Sequence, residues 1–179
     1  MTPASLPAVR RVLPNEDDIQ QVARLLQTNQ SDNGGALTGN FPVDRVRQMV
    51  AQPSPVIGAW LDGRLLGVVF TAQVSAADLV PVLAAMRAAW PGRPDDYLYG
   101  PVCIDAAARG QGLLPKLYAE LKRQLPGRAA VLFITADNIA SQRAHQRLGM
   151  REVASFDWNG GRCDVYTDAP PVRPGRLRR

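Results

Sequence analysis

The sequence predicts an α/β protein: a mixed, twisted sheet of about seven strands with helices on both faces. Three observations carry that expectation. An apolar stretch from Tyr97 to Ile104 runs through a short glycine-bearing connection into leucines at helical spacing, so a buried strand hands its chain to an amphipathic helix. Asp62-Gly63 separates two strand-like segments and is a strong hairpin signal. Apolar runs of strand length alternate with helical periods along nearly the whole chain.

Taken in order, residues 9–13 read as a first strand. Asn15 is a helix N-cap, followed by Glu16, Asp17 and Asp18 at the positive end of the helix, and Ile19, Val22, Ala23, Leu25 and Leu26 form its apolar face. Residues 28–40 are polar, glycine-rich and aperiodic, a loop of functional length. Pro42 opens a short helix carrying Val43, Val46, Met49 and Val50. The hairpin spans residues 56–61 and 64–74. Residues 76–90 read as one helix, with Leu79, Val82, Leu83, Met86 and Trp90 on one face and Pro81 near its start.

After the central strand and its helix, Pro126-Gly127 turns the chain into a strand at residues 131–135. Asn138 caps a helix through Leu148, with Gly149 as its C-terminal cap. Residues 153–158 and 163–167 close the fold as a hairpin around Asn159-Gly160-Gly161. Residues 1–170 are read as one domain, and residues 171–179 as an Arg/Pro-rich tail without fixed structure.

Composition narrows the function. At 179 residues, with 46% hydrophobic and 21% charged, the chain is an ordinary globular mix without an 18-residue apolar run, and no secretory leader is expected. Cys103 and Cys163 lack metal-ligand spacing, and a single histidine excludes a His-rich metal site. A cytoplasmic protein with reduced thiols is expected. The net charge of +5 is concentrated: Arg173, Arg176, Arg178 and Arg179 lie in the last seven residues. Nucleic-acid binding would rest on that tail alone.

The turn after the central strand makes an anion site. A helix start has backbone N–H groups without internal partners and the positive end of the helix dipole, and Gly110 and Gly112 admit a phosphate close to the backbone. Pro115 stands where a dinucleotide-binding fingerprint would place its third glycine, and the Gly-Lys-Ser/Thr ending of an ATP-type loop is absent. The run Ile104…Arg109-Gly110-Gln111-Gly112-Leu113-Leu114 resembles the pyrophosphate loop of the GNAT superfamily of N-acetyltransferases, with Leu114 where that family usually has Gly or Ala. Asn138-Ile139-Ala140-Ser141, His145 and Arg147-Leu148-Gly149-Met150 resemble its second motif, in the right order and with a strand between.

The resemblance covers residues 9 to 167. It implies acetyl-CoA as acyl donor and an amine of a small molecule or peptide as acceptor, attacked directly in a ternary complex. It implies cofactor contacts at Val102, Cys103, Ile104, Arg109, Gly110, Gln111, Gly112, Leu113, Leu114, Asn138 and Ser141. His145 takes the position of the family's usual tyrosine and is the expected catalytic acid toward the departing sulfur. For a general base the candidates are Asp32, Asp95, Asp96, Tyr97, Tyr99 and Asp105; Cys103 as a nucleophile would have only His145 as partner. A monomer or homodimer is expected. The alternative is a non-catalytic acetyl-CoA-binding or ligand-sensing module of the same fold.

Overall fold

The computed structural model describes residues 6–171. Its strands are β1 (Ala8–Arg11), β2 (Ile57–Leu61), β3 (Arg64–Gln73), β4 (Tyr97–Ile104), β5 (Ala130–Thr135), β6 (Arg151–Trp158) and β7 (Gly161–Thr167). They form one sheet in the order β1-β2-β3-β4-β5-β7-β6, antiparallel throughout except for β4 and β5. The helices are α1 (Glu16–Thr28), α2 (Val43–Val50), α3 (Pro81–Ala89), α4 (Leu113–Gln124) and α5 (Ile139–Arg147).

Consecutive residues of β4 send their side chains to opposite faces, and this sorts the helices. Cys103 and β3's Val68 and Phe70 face α1 and α2 through Ile19, Val22, Leu26, Val46 and Val50. Leu98, Val131 and Val165 meet Met86 of α3 on that same side. Tyr97 and Tyr99 face the other way, onto Leu113, Leu117 and Leu121 of α4. Leu117 and Leu121 are fully buried, each contributing about 1.5–3 kcal/mol of transfer free energy.

The β2–β3 turn has φ of 50° at Asp62 and 80° at Gly63, the left-handed pair that a two-residue hairpin matching strand twist requires. α5 ends on Gly149 at φ 87°; the Gly149 N–H donates to the Gln146 carbonyl and the Met150 N–H to that of His145, so the last carbonyls are satisfied. The helix expected over residues 76–90 divides. Val74–Leu79 is a 3₁₀ helix and α3 starts at Pro81. Proline forces the residue before it out of the helical region, and Val80 is extended at φ −128°, ψ 110°. The tail expected at 171–179 lies, past Pro171, outside the described residues.

Asp18 is the buried charge that ties β1 to α1. Its carboxylate accepts from Arg10 Nη1 and Nη2 at 2.7 and 2.9 Å and from the Leu13 N–H at 2.8 Å, while its own N–H donates to the cap Asn15 Oδ1 at 2.9 Å. The Arg10 fork, aided by the Leu13 N–H, holds the carboxyl below the ordinary carboxylate range against the opposing effect of burial. Its folded pKa is therefore below its unfolded one, so the stabilisation is present at neutral pH and fades as pH falls through the acid range. Asp18→Ala is expected to lower the unfolding free energy at pH 7 by about 1–3 kcal/mol. Urea titrations should show that deficit shrinking below about pH 4.

Candidate active site

The sheet opens in its middle. β4 and β5 pair at only two positions, Tyr97 with Ala130 and Leu98 with Val131. Beyond them β5 stays with β7 and β4 stays with β3. The β3–β4 register places Val69 against Val102 and Thr71 against Tyr99, so Gly100 and Pro101 bulge against one residue of β3. Gly100 sits at φ 115°, and Pro101, after a cis bond, has no N–H to offer a ladder. The strands part around a cavity of about 630 Å³. Residues 98–102 of β4 and 131–135 of β5 form two of its sides. Asn138, Ser141 and His145 line it from α5, and Leu37, Phe41, Arg45, Met49 and Leu83 from the α2–α3 side.

At the C-terminal end of β4 the chain makes the glycine loop. Gly110 and Gly112 both lie at φ 72°, and a methyl built on either meets nothing within 4 Å, so the space before the loop is open. Gly112 is the N-cap of α4 and supplies no capping side chain; no acidic residue stands in the first turn. α1 is the internal contrast, with Asn15 accepting from Asp18 N and three acids in its first turn. What α1 satisfies with its own side chains, α4 leaves to a bound anion. Leu113 is buried in the core and Leu114 is half-buried. Arg109 folds across the loop, Nε donating to the Ile104 carbonyl at 3.2 Å and Nη2 to Asn29 Oδ1 at 2.8 Å. Arg24 and Arg64 join it around an adjoining groove in which Asp105 is the only acid.

His145 is 5% exposed, with its ring perpendicular to that of Tyr99 at 5.5 Å. Nδ1 lies 2.8 Å from the Ser141 carbonyl, which can only accept, so the proton of the neutral ring sits on Nδ1. Nε2 has no partner among the described residues. Burial lowers the pKa, opposed in part by the bond to Ser141. The resting side chain is a neutral imidazole with a bare Nε2, so any acid step must follow uptake of a proton.

The remaining candidates scatter. Cys103 belongs to the α1 side, its Sγ 3.7 Å from the Leu25 carbonyl, and burial pushes its thiol up to about 11; it does not meet His145, which lies on the α4 side. Asp105 accepts from the Ala107 N–H and pairs with Arg64, which hold it low. Asp96 binds the Arg93 N–H before β4 begins, and Asp32 is exposed in a 3₁₀ turn. Asp95 is exposed at that same end, and its backbone carbonyl accepts from Arg128. Burial raises Tyr97 and Tyr99 well above the usual tyrosine range. Sequence reasoning missed the α2 wall: Arg45, Gln48 and Met49 on α2 and Gln52 just past its end line the cavity, and their spacing gives no signal of it until the cavity beside them is seen.

A half-open sheet with an uncapped glycine loop at the end of its central strand defines a protein that lays a phosphate-tailed cofactor between two strands. Residues 23–150 match the acetyltransferase (GNAT) family, and the chain belongs to that family. It is an acyltransferase that uses acetyl-CoA as acyl donor. The fold recurs in the ribosomal-protein-S18-alanine N-acetyltransferase of Escherichia coli, at TM-score 0.65 and 12% identity over 97% of this chain and 99% of the other. YncA of Salmonella typhimurium, whose structure contains acetyl-CoA, gives 0.68 and 16% over 96% and 99%. An Acinetobacter baylyi protein gives 0.70 and 19% over 95% and 97%. No curated protein sequence matches the chain.

Because the chain contains one histidine, its imidazole titration is unambiguous. NMR of the full chain should place the His145 midpoint below 6.5 and the proton of the neutral form on Nδ1. A midpoint above that value, or an Nε2–H tautomer, would refute the assignment.

Proposed function

We propose that this protein transfers the acetyl group of acetyl-CoA to an amine of a small molecule or peptide by direct attack within a ternary complex. The observation that carries the reading is the parting of β4 from β5 immediately before an uncapped, glycine-lined helix start. The residues present fit the cofactor. The open edge of Val102, Cys103 and Ile104 offers backbone groups to the pantetheine arm. The loop from Gly110 through Gln111 and Gly112 to Leu113 and Leu114 offers N–H groups to the pyrophosphate, with Arg109 close enough to swing from Asn29 onto it. Asn138 and Ser141 stand at the start of α5 on the far wall. When bound, acetyl-CoA supplies an activated thioester.

The chain's own work is then positioning and proton handling. The largely apolar cavity walls surround the acceptor, and His145 Nε2 is free to accept the proton that the amine sheds and to return it to the sulfur. No carboxylate lines the cavity among the described residues, and burial raises Tyr99 well above the usual tyrosine range, which leaves His145 as the lining group able to exchange a proton near neutral pH. Two unpaired buried thiols support a cytoplasmic setting, and the reading holds for a monomer or homodimer. No helix among the described residues is long and apolar enough to cross a membrane.

The test is a steady-state assay of CoA thiol release over a panel of small amines and peptide N-termini. The peptide arm is included because one structural neighbour is named for an alanine of ribosomal protein S18. Turnover of at least one amine is expected; intact acetyl-CoA binding with no turnover would instead favour a ligand-sensing module. Gly112→Glu, which puts a negative side chain into the open space before α4, should abolish acetyl-CoA binding in calorimetry while unfolding remains cooperative. Near-native affinity would sink the loop's assignment.

His145→Phe should lower kcat and kcat/KM together, by about 10- to 100-fold because thiolate leaves readily, with acetyl-CoA affinity nearly unchanged. His145→Tyr should keep much of the activity. Full kcat in the phenylalanine variant would reduce His145 to a contact residue.

A further inference from the structure

The cavity has a charge pattern as well as a shape. Its lining on the α2–α3 side is largely apolar, with Leu37, Phe41, Met49, Phe70 and Leu83, and the polar groups among them, such as Thr38 and Thr71, are neutral. With His145 neutral, Arg45 is the only formally charged side chain among its lining residues. That guanidinium lies over the Phe41 ring, 4.9 Å from its centroid, and one nitrogen donates to the Asn40 carbonyl. It has no carboxylate partner among the described residues. One turn on, Gln48 lines the cavity from the same side of α2, and Gln52 lines it from just past the helix end. The nearby acids are committed elsewhere. Asp44 pairs with Arg47, which also binds Glu16, and the exposed Asp78 does not line the cavity.

A site that takes a second ammonium group, as for a polyamine, an aminoglycoside or a lysine-rich peptide, needs carboxylates to meet it, because an unpaired ammonium against apolar walls is expensive. This cavity offers the opposite: a fixed positive charge with neutral donors beside it. We infer that the acceptor is a primary amine on an apolar body that also bears a carboxylate, an apolar amino acid in the broad sense, with Arg45 reading the carboxylate. The inference rests on the acetyltransferase reading and makes Arg45 the residue that selects the acceptor. Apolar bulk fills the space between Phe41, Met49 and Leu83, Arg45 holds the oxyanion at the mouth, and the amine is left facing the parted strands. Electrostatic complementarity of this kind sorts ligands by sign more than it adds affinity.

The experiment uses three probes that share a ring and a benzylic amine and differ only at the far end: para-aminomethylbenzoate, para-methylbenzylamine and para-xylylenediamine. Each is titrated by calorimetry into the full chain saturated with CoA, so the readout is binding rather than turnover. The carboxylate should bind about fivefold more tightly than the methyl compound, as expected for a partly exposed ion pair, and the diamine should bind most weakly. Arg45→Glu should reverse the order of carboxylate and diamine, and Arg45→Gln should flatten it. Unchanged acetyl-CoA affinity in both variants shows that they fold. A wild-type preference for the diamine, an order unmoved by Arg45→Glu, or binding of none of the three overturns the inference. Failure of the acetyltransferase reading is separate and shows as acetyl-CoA binding without turnover of any amine.

Discussion

The structure depends on a ladder that stops. Among the described strands β4 and β5 are the only parallel neighbours, and they share two residue pairs before each follows its other partner. A parallel pair in the middle of a sheet is normally buried by helices on both faces, and here α3 lies on one side and α4 on the other. The helices hold the halves of the sheet together where the ladder does not. The leucines of α4 share one core cluster with Ile57, Val69, Tyr97, Tyr99 and Leu132, residues from both sides of the gap. An opening in a sheet would otherwise be a weakness. Bridged by one helix per face, it is a slot with backbone groups along its edge, and that is the feature a thin, hydrogen-bonding cofactor arm requires.

The same helix physics serves structure at one end of the chain and binding at the other. α1 begins with a capping asparagine and three acids that answer its dipole, and Asp18 extends the answer to Arg10 and β1. α4 begins with a left-handed glycine, no cap and no acid, beside a groove carrying three arginines. A helix start so lacking in internal partners is poor design for stability alone. It is repaid by the burial of Leu113, Leu117 and Leu121 a turn further on, which keeps the helix in place whether or not an anion is bound.

Local signals read true where a local cause governs. The Asp62-Gly63 hairpin, the Asn15 and Asn138 caps and the Gly149 terminus are each set by one or two residues, and each stands where periodicity and turn chemistry place it. Pro81 shows the limit of that reading: at the start of a helix it is harmless, but its effect on Val80 breaks the expected continuity with residues 74–79. The glycine loop before α4 was legible because a left-handed turn with open space before it demands glycine at fixed positions, and Gly110 and Gly112 hold those positions. The cavity wall proposed for the acceptor has no such code. Arg45, Phe41 and Leu83 come from three segments that only the tertiary fold brings together, and Tyr118, Lys122 and Asp168 converge behind α4 in the same unreadable way.

Burial links the shape of the site to its chemistry. The apolar environment that lowers the His145 pKa disfavours any isolated cation near it, and an ammonium entering the cavity meets the same penalty. The reactive amine must be neutral to attack, so a cavity without carboxylates shifts the acceptor toward the form that reacts. A carboxylate close to the amine would do the reverse, stabilising the ammonium and holding the nucleophile back. The absence of a carboxylate base from the lining therefore does not argue against catalysis. In the proposed reaction, desolvation of the amine would take over part of the work of a strong base, and His145, fixed by the Ser141 carbonyl, would receive the proton on its bare Nε2.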